Sequence, residues 1–171
     1  MSGAVERTAF TRAMARVPAP VTVTTTVDRE GRPWGFTASS FSSLSLEPPL
    51  VLVCVGRTAS VHRAFTTARC FLVNVLAADQ ADVAARFAAR GTDRFAAGDM
   101  ERCELGLPGL ADAAVRVACR LHDVLDGGDH SILVGRVEAT HTGPRTPLLH
   151  YDRSWCRPVD AHPGRPAHRA A

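Results

Sequence analysis

Between Thr37 and Ser45 the chain carries six hydroxyl side chains, Thr37, Ser39, Ser40, Ser42, Ser43 and Ser45, set among apolar residues. The stretch begins at Trp34, stops at Pro48-Pro49 and resumes as the unbroken apolar run Leu50 to Val55. A polar strand, a proline break and a fully buried strand in succession can build one wall of a pocket on a core. Small hydroxyls beside exposed backbone amides offer neutral hydrogen bonds, which suits a ligand rich in carbonyl, ring-nitrogen and phosphate groups. The alternative is a solvated strand face rich in Ser and Thr. A second polar candidate is His130, which follows Asp126-Gly127-Gly128-Asp129. By itself it reads as a hydrogen-bonded turn histidine at the start of a strand.

Other chemistries are excluded by their missing residues. No two glycines stand at i and i+2, so the dinucleotide fingerprint G-x-G-x-x-G does not occur. There is no H-E-x-x-H, no G-x-S-x-G, and no His or Cys pair at a metal-site spacing. All 20 basic residues are arginine, which excludes a Schiff-base lysine and a P-loop. An enzyme with this sequence would leave its chemistry to a bound cofactor.

Composition sets the class. With 171 residues, 46% apolar and 22% charged, the chain reads as one soluble domain that buries about 70% of its unfolded surface. The formal net charge is +3 and the arginines are scattered, which argues against a nucleic-acid partner. No apolar stretch approaches the roughly 18 residues of a membrane span, and MSGAVERTAF has no signal-peptide core. A cytoplasmic location without membrane contact is therefore expected. Cys54, Cys70, Cys103, Cys119 and Cys156 form no C-x-x-C and are read as reduced thiols.

The elements that must position these residues follow from periodicity. Val5 to Val17 carries Phe10, Met14 and Val17 at helical spacing and predicts a helix packed across the body. Val21 to Val27 alternates, and Asp28-Arg29-Glu30-Gly31-Arg32 turns it into the strand at Trp34. Thr58 or Ser60 is expected to cap a short helix through Phe65, and Asp79 one running to about Ala89. Residues 70 to 76 predict a strand, and Gly91 to Pro108 a long loop or lid. Ala114 to Leu125 and His130 to His141 predict a second hairpin. Thr142 to Pro158 reads as irregular and residues 160–171 as a tail, leaving a single domain over 1–159. Six or seven strands with two or three short helices predict a mainly β fold, a closed or half-closed antiparallel barrel.

Five motifs then converge on one family. Gly35-Phe36-Thr37-Ala38-Ser39-Ser40-Phe41, Ser45-Leu46-Glu47-Pro48-Pro49-Leu50, Phe71-Leu72-Val73-Asn74-Val75-Leu76, Arg86-Phe87-Ala88 and Gly128-Asp129-His130 resemble the short-chain flavin reductases. These are the reductase components of two-component flavin monooxygenases, and the resemblance covers about residues 8 to 158 in order. It implies a homodimeric FMN-binding split β-barrel that binds FAD or FMN and reduces it with NADH, NADPH being the alternative. It implies that Thr37, Ala38, Ser39 and Ser40 lie along the isoalloxazine, mainly through backbone groups, with Cys54 and Val55 near the ring. It places Ser60 at a helix N-terminus where a phosphate could sit, and His130 on the nicotinamide side as the catalytic candidate. Arg86 and Arg94 become phosphate candidates, Phe87 packs in the core while its segment reaches the flavin, and Asp129 holds the turn or orients His130. Two positions depart from the pattern: His62 stands where relatives often carry Thr, and Ser154 replaces a frequent Gly before Trp155.

What the resemblance implies mechanistically matches the missing nucleophile. Hydride passes from nicotinamide C4 to flavin N5, so the protein's task is to stack two rings at about 3 to 3.5 Å. Donors around residues 37 to 40 would stabilise negative charge near N1 and O2 of the reduced ring. Reduced flavin is expected to pass to a flavin-dependent monooxygenase or halogenase. The dimer is expected to bury the helix near Val5 to Val17 and the strand Ala114 to Leu125. The rival readings are a flavin- or haem-binding split barrel without turnover, acting as store or sensor, and a pyridoxamine-phosphate-oxidase-like enzyme.

Overall fold

The computed structural model describes residues 5–160; all but the first residue of the expected tail lies outside the described residues. The chain runs α1 (Arg7–Ala15), β1 (Ala19–Pro20), β2 (Thr22–Val27), β3 (Pro33–Ala38), β4 (Ser42–Ser45), β5 (Leu50–Gly56), α2 (His62–Thr66), β6 (Cys70–Val75) and α3 (Ala81–Ala88). It continues through β7 (Glu101–Arg102), a 3₁₀ turn, β8 (Pro108–Gly109), the long pair β9 (Val115–Gly127) and β10 (His130–Thr142), then β11 (Leu149–Tyr151) and β12 (Ser154–Cys156). Seven strands form one antiparallel sheet in the order β3-β2-β6-β9-β10-β5-β4. The edge strands β3 and β4 are consecutive in the chain, so the sheet curls into the expected half-closed barrel, a split barrel.

Alternation fills the interior. Val51, Val53 and Val55 of β5 point inward and meet Phe65, Phe71, Val73, Val117, Cys119 and Leu133. Leu52, Cys54 and Gly56 face outward and remain half-buried, so the run that reads as fully buried is buried on one face only. Among the described residues no helix covers that outer face, and this is the physical reason for the difference. On β2 both faces are buried: Thr22 donates to the Ala38 carbonyl (2.9 Å) and Thr26 to that of Cys70 (2.7 Å), while the buried Thr24 hydroxyl between them has no partner among the described residues. Burial pushes the Cys119 thiol up to about 12, so it behaves as a small apolar residue.

A second cluster forms where α3 lays Val83, Ala84 and Phe87 on Val21, Val23 and Leu76 at the outer face of β2. Neither expected cap forms as read. The N-cap of α3 is Gln80, while Asp79 pairs with Arg145; α2 starts after Val61 without a side-chain cap from Thr58 or Ser60. The second half of the expected lid is pinned. Glu104 takes a bidentate ion pair from Arg116 (2.9 Å to each oxygen), Leu107 is buried, and β7 pairs with β8. Residues expected to be irregular near the C-terminus form β11 and β12, which join β1 in a small sheet.

Helix α1 departs most from expectation. It buries no residue; Phe10, Met14 and the following Val17 stay exposed, and only its C-terminal end is tied down, by Asp152 N–H to the Ala15 carbonyl (2.7 Å). Its apolar stripe therefore stays uncovered among the described residues. The strand Ala114 to Leu125 is likewise mixed: residues 116–119 are core, and only the half beyond them reaches the surface.

Candidate active site

Strand β3 pairs with β2 on one side only, so its other edge is free. Arg94 Nη1 donates to the Gly35 carbonyl on that edge (2.9 Å), and strand alternation directs the N–H and C=O of Thr37 the same way. The Thr37 hydroxyl is committed elsewhere, donating to the Ala84 carbonyl of α3 (2.7 Å), so its backbone is what the edge offers. Ala38 points into the barrel, Ser39 is exposed, and Ser40 Oγ accepts the Cys54 N–H (2.9 Å), which ties the end of β3 to β5. Cys54 faces outward beside it, while the Val55 side chain is buried in the barrel and leaves only backbone to a ligand.

The covered face of β3 is closed by α3. A Cβ on Gly35 would fall 2.6 Å from Phe87 Cε1, so only glycine lets this ring seat against the strand. Phe87 is fully buried and stacks edge-on to Phe95 (5.2 Å). Arg86 pairs with Asp99 and lies over the Phe87 ring, and its Nε is buried with no partner among the described residues. Arg94 gives its remaining donors to the Ala89 carbonyl, and burial lowers its pKa. Both phosphate candidates are thus engaged with the protein.

At the other end of the site stands the β9–β10 turn. Gly128 takes φ +77° in the two-residue turn Gly128-Asp129, a conformation suited to glycine. Arg57 clamps it from β5, donating from its backbone to the Asp129 carbonyl (3.0 Å) and from Nε to the Gly128 carbonyl (2.8 Å), and pairing with Asp126 (3.1 Å). His130 Nδ1 meets the Asp129 carboxylate at 2.7 Å, a hydrogen bond that holds Asp129 below its usual range. With Nδ1–H donated there, Nε2 is the free ring nitrogen. His130 pairs in register with Gly56, over which the ring lies: a Cβ there would sit 3.7 Å from Nε2. Its side chain is 47% exposed and shares the outer face with Cys54, two residues along β5. Next to it, Ser131 Oγ meets His62 Nε2 (2.9 Å), so the residue that departs from the family pattern buttresses the histidine strand.

Ser60 lies on the loop after β5 and is exposed. With Trp34, Gly35 and residues 91–95 it lines a cleft of about 330 Å³ at the start of β3. From Trp34 to Ala38 the extended strand covers about 13 Å at roughly 3.3 Å per residue. The structure therefore brings Ser40, Cys54 and His130 to the outer face of β5 and β10, with the Thr37 backbone and the exposed Ser39 at the adjoining end of β3 and Ser60 and Arg94 at the start of that strand. Gly56, Arg57 and Trp34 belong to this arrangement and were not read as site residues. Only the Trp34-to-Val55 stretch itself could have flagged the indole, since Arg57 and Gly56 carry no local motif. Among the described residues no three His, Cys, Asp or Glu side chains cluster to hold a metal ion, and no helix is long and apolar enough to cross a membrane.

Comparison with known proteins gives the family. The family model described as flavin reductase like domain matches residues 14–158. The actinorhodin polyketide dimerase of Streptomyces coelicolor is 44% identical over 165 residues, 91% of this chain and 93% of that protein. The NADH:riboflavin 5′-phosphate oxidoreductase of Streptomyces pristinaespiralis is 43% identical over 163 residues, 94% of this chain and 93% of that one. Among solved structures, the NADH:FAD oxidoreductase of Streptomyces globisporus C-1027, in complex with NAD and FAD fragments, superposes with a TM-score of 0.85 at 36% identity, covering 94% of this chain and 100% of that one. The chain belongs to the flavin reductase-like family.

Proposed function

We propose that the protein is an NAD(P)H:flavin oxidoreductase that transfers a hydride from NADH to FAD or FMN and supplies reduced flavin to a partner monooxygenase. The observation that carries this reading is the free edge of β3, with Ser39, Ser40 and Cys54 at its end and a carboxylate-oriented His130 beside them, inside the family-matched region. Relatives named as oxidoreductases of NADH with riboflavin 5′-phosphate or FAD favour turnover over storage.

The residues present fit a flavin. A strand edge without a partner strand offers backbone donors and acceptors in one plane, and a flat heteroaromatic edge needs that arrangement. Gly56 adds no side chain beneath His130, which leaves room for a ring on the surface. When bound, flavin supplies a two-electron acceptor that takes the hydride of the nicotinamide at N5. The chain's own work is placement. Thr37 presents backbone, Ser39 a free hydroxyl, and neutral donors of this kind stabilise charge that develops on a ring edge without themselves titrating. His130 offers Nε2 to the nicotinamide side, fixed by Asp129 and by the Arg57 clamp. Arg94 acts as a positioning residue, because it holds the Gly35 carbonyl of the edge strand.

The exposed Phe10, Met14, Val17, Leu46 and Leu125 support a homodimer that buries them, and a cytoplasmic location accords with reduced cysteines. Loss of NADH absorbance by the purified protein with FAD, with FMN and without flavin tests the reading. Flavin-dependent turnover is expected; a protein that binds flavin and oxidises no NADH or NADPH would instead be a store or sensor.

A further inference from the structure

The residues on either side of His130 are both held from one short stretch of chain. Before it, the Asp129 carbonyl accepts the Arg57 N–H (3.0 Å); after it, Ser131 Oγ meets His62 Nε2 (2.9 Å). Arg57 and His62 bound the segment between β5 and α2, and Gly56 at the end of β5 pairs in register with His130. Within the segment the Ala59 N–H donates to the Gly56 carbonyl and the His62 N–H to the Ala59 carbonyl, both at 3.0 Å. The stretch is thus a brace across the ends of β5 and β10, not a slack connection.

The brace has a fixed post. Phe65, one turn beyond His62 on α2, is fully buried in the barrel and meets Phe36 edge-on (4.8 Å), so the start of the helix cannot shift without opening the core. From this post the imidazole reaches Ser131, which is 5% exposed and whose hydroxyl has no other partner among the described residues. A buried hydroxyl needs a partner, and His62 supplies it. Successive side chains of a strand point to opposite faces, so the inward Ser131 and the outward His130 leave one stretch of backbone in opposite directions. A hold on the first therefore fixes the direction in which the second projects.

We propose that His62 is a positioning residue for hydride transfer, acting through Ser131 to hold the His130 ring over Gly56. The inference rests on the flavin-reductase reading, in which His130 Nε2 faces the nicotinamide. The hold concerns the nicotinamide side alone and leaves flavin binding as it is.

The test loads the full chain with FMN and reads two quantities, the Kd for NAD+ from the perturbed flavin spectrum and the rate at which NADH bleaches the flavin. Ser131→Ala removes a single oxygen. It and His62→Ala should each raise the Kd for NAD+ and slow bleaching by about three- to tenfold, with FMN affinity within about twofold of the wild type. His62→Gln, whose amide can still donate to the Ser131 hydroxyl, should recover most of the loss. The decisive comparison is a cycle with His130→Ala: with that imidazole gone, adding His62→Ala should change both quantities by less than about twofold. A merely structural role would leave the effect of His62→Ala undiminished in that background, and this result overturns the proposal. An equal loss of FMN affinity overturns it too. Wild-type protein that holds FMN but neither binds NAD+ nor is bleached by NADH overturns the reductase reading and the positioning role with it. Normal bleaching of the wild type, matched by both single variants, overturns the positioning role alone.

Discussion

The two sides of β3 are finished in opposite ways. Towards α3 every group is consumed: Phe87 fills the space a Gly35 Cβ would need, the Thr37 hydroxyl serves a helix carbonyl, and Arg94 caps two carbonyls. Along the free edge and across to the β9–β10 turn, groups are held in place but left with capacity: Ser39, Cys54 and His130 Nε2. The packed side sets where the open side's atoms stand. A change on the first should therefore register as stability, and one on the second as binding or rate, with little exchange between them.

That division can be broken at several points. Phe87→Ala removes a fully buried ring and should cost about 3–5 kcal/mol in urea unfolding. A loss under about 1 kcal/mol would mean that α3 does not pin β3. Gly35→Ala pushes a methyl to 2.6 Å from the same ring and should cost about 1–3 kcal/mol. Combining it with Phe87→Leu should recover part of that loss; strict additivity would show that the two positions do not touch.

Thr37→Val sharpens the contrast, because it deletes the bond to Ala84 and leaves the backbone edge intact. It should cost about 1 kcal/mol while flavin affinity stays within about twofold. A tenfold loss of flavin binding at unchanged stability would make the hydroxyl a ligand group. On the open side, His130→Ala should move stability by no more than about 0.5 kcal/mol. It should raise the Km for NADH several-fold and slow hydride transfer without abolishing it, which stopped-flow bleaching of bound flavin would reveal. Complete loss of transfer with both ligands still bound would contradict a placement mechanism.

The smallest effect concerns acid. The Trp34 indole N–H, above all, holds the Asp28 carboxyl down to about 2. A depressed carboxyl contributes stability that is fully present above about pH 4 and is lost as pH falls through about 2. Asp28→Asn should therefore flatten the acid limb of a stability-versus-pH profile. An unchanged limb would assign that slope to other carboxylates such as Glu104, which Arg116 also holds low.

Much of this was legible in the residues. The strand over Val21 to Val27 and the Gly-Gly-Asp turn before His130 are local signals, because side-chain period and positive φ are properties of a few consecutive residues; that Leu50 to Val55 is buried on one face only was not legible in its unbroken apolar run. So was the family, carried by five motifs in order. The helix at Phe10 and Met14 has a real apolar stripe, yet a stripe says only that something should cover it, not what. The expected Asp79 cap does not form because Arg145, distant in the chain, takes its carboxylate, and α2 starts one residue later than read, after Val61, with no side-chain cap from Thr58 or Ser60.

By itself the sequence determined the main strands of the seven-stranded sheet, the central hairpin, the family and most of the residues offered as site candidates. Tertiary structure decided which atoms of those residues are free. Thr37, Arg86, Arg94 and Val55 carry suitable chemistry, but α3, Asp99, the Gly35 carbonyl and the barrel interior claim their side chains. A donor hydrogen already given to the protein is not available to a ligand. Which partner takes it depends on distances between segments far apart in the chain, and no local pattern encodes those distances.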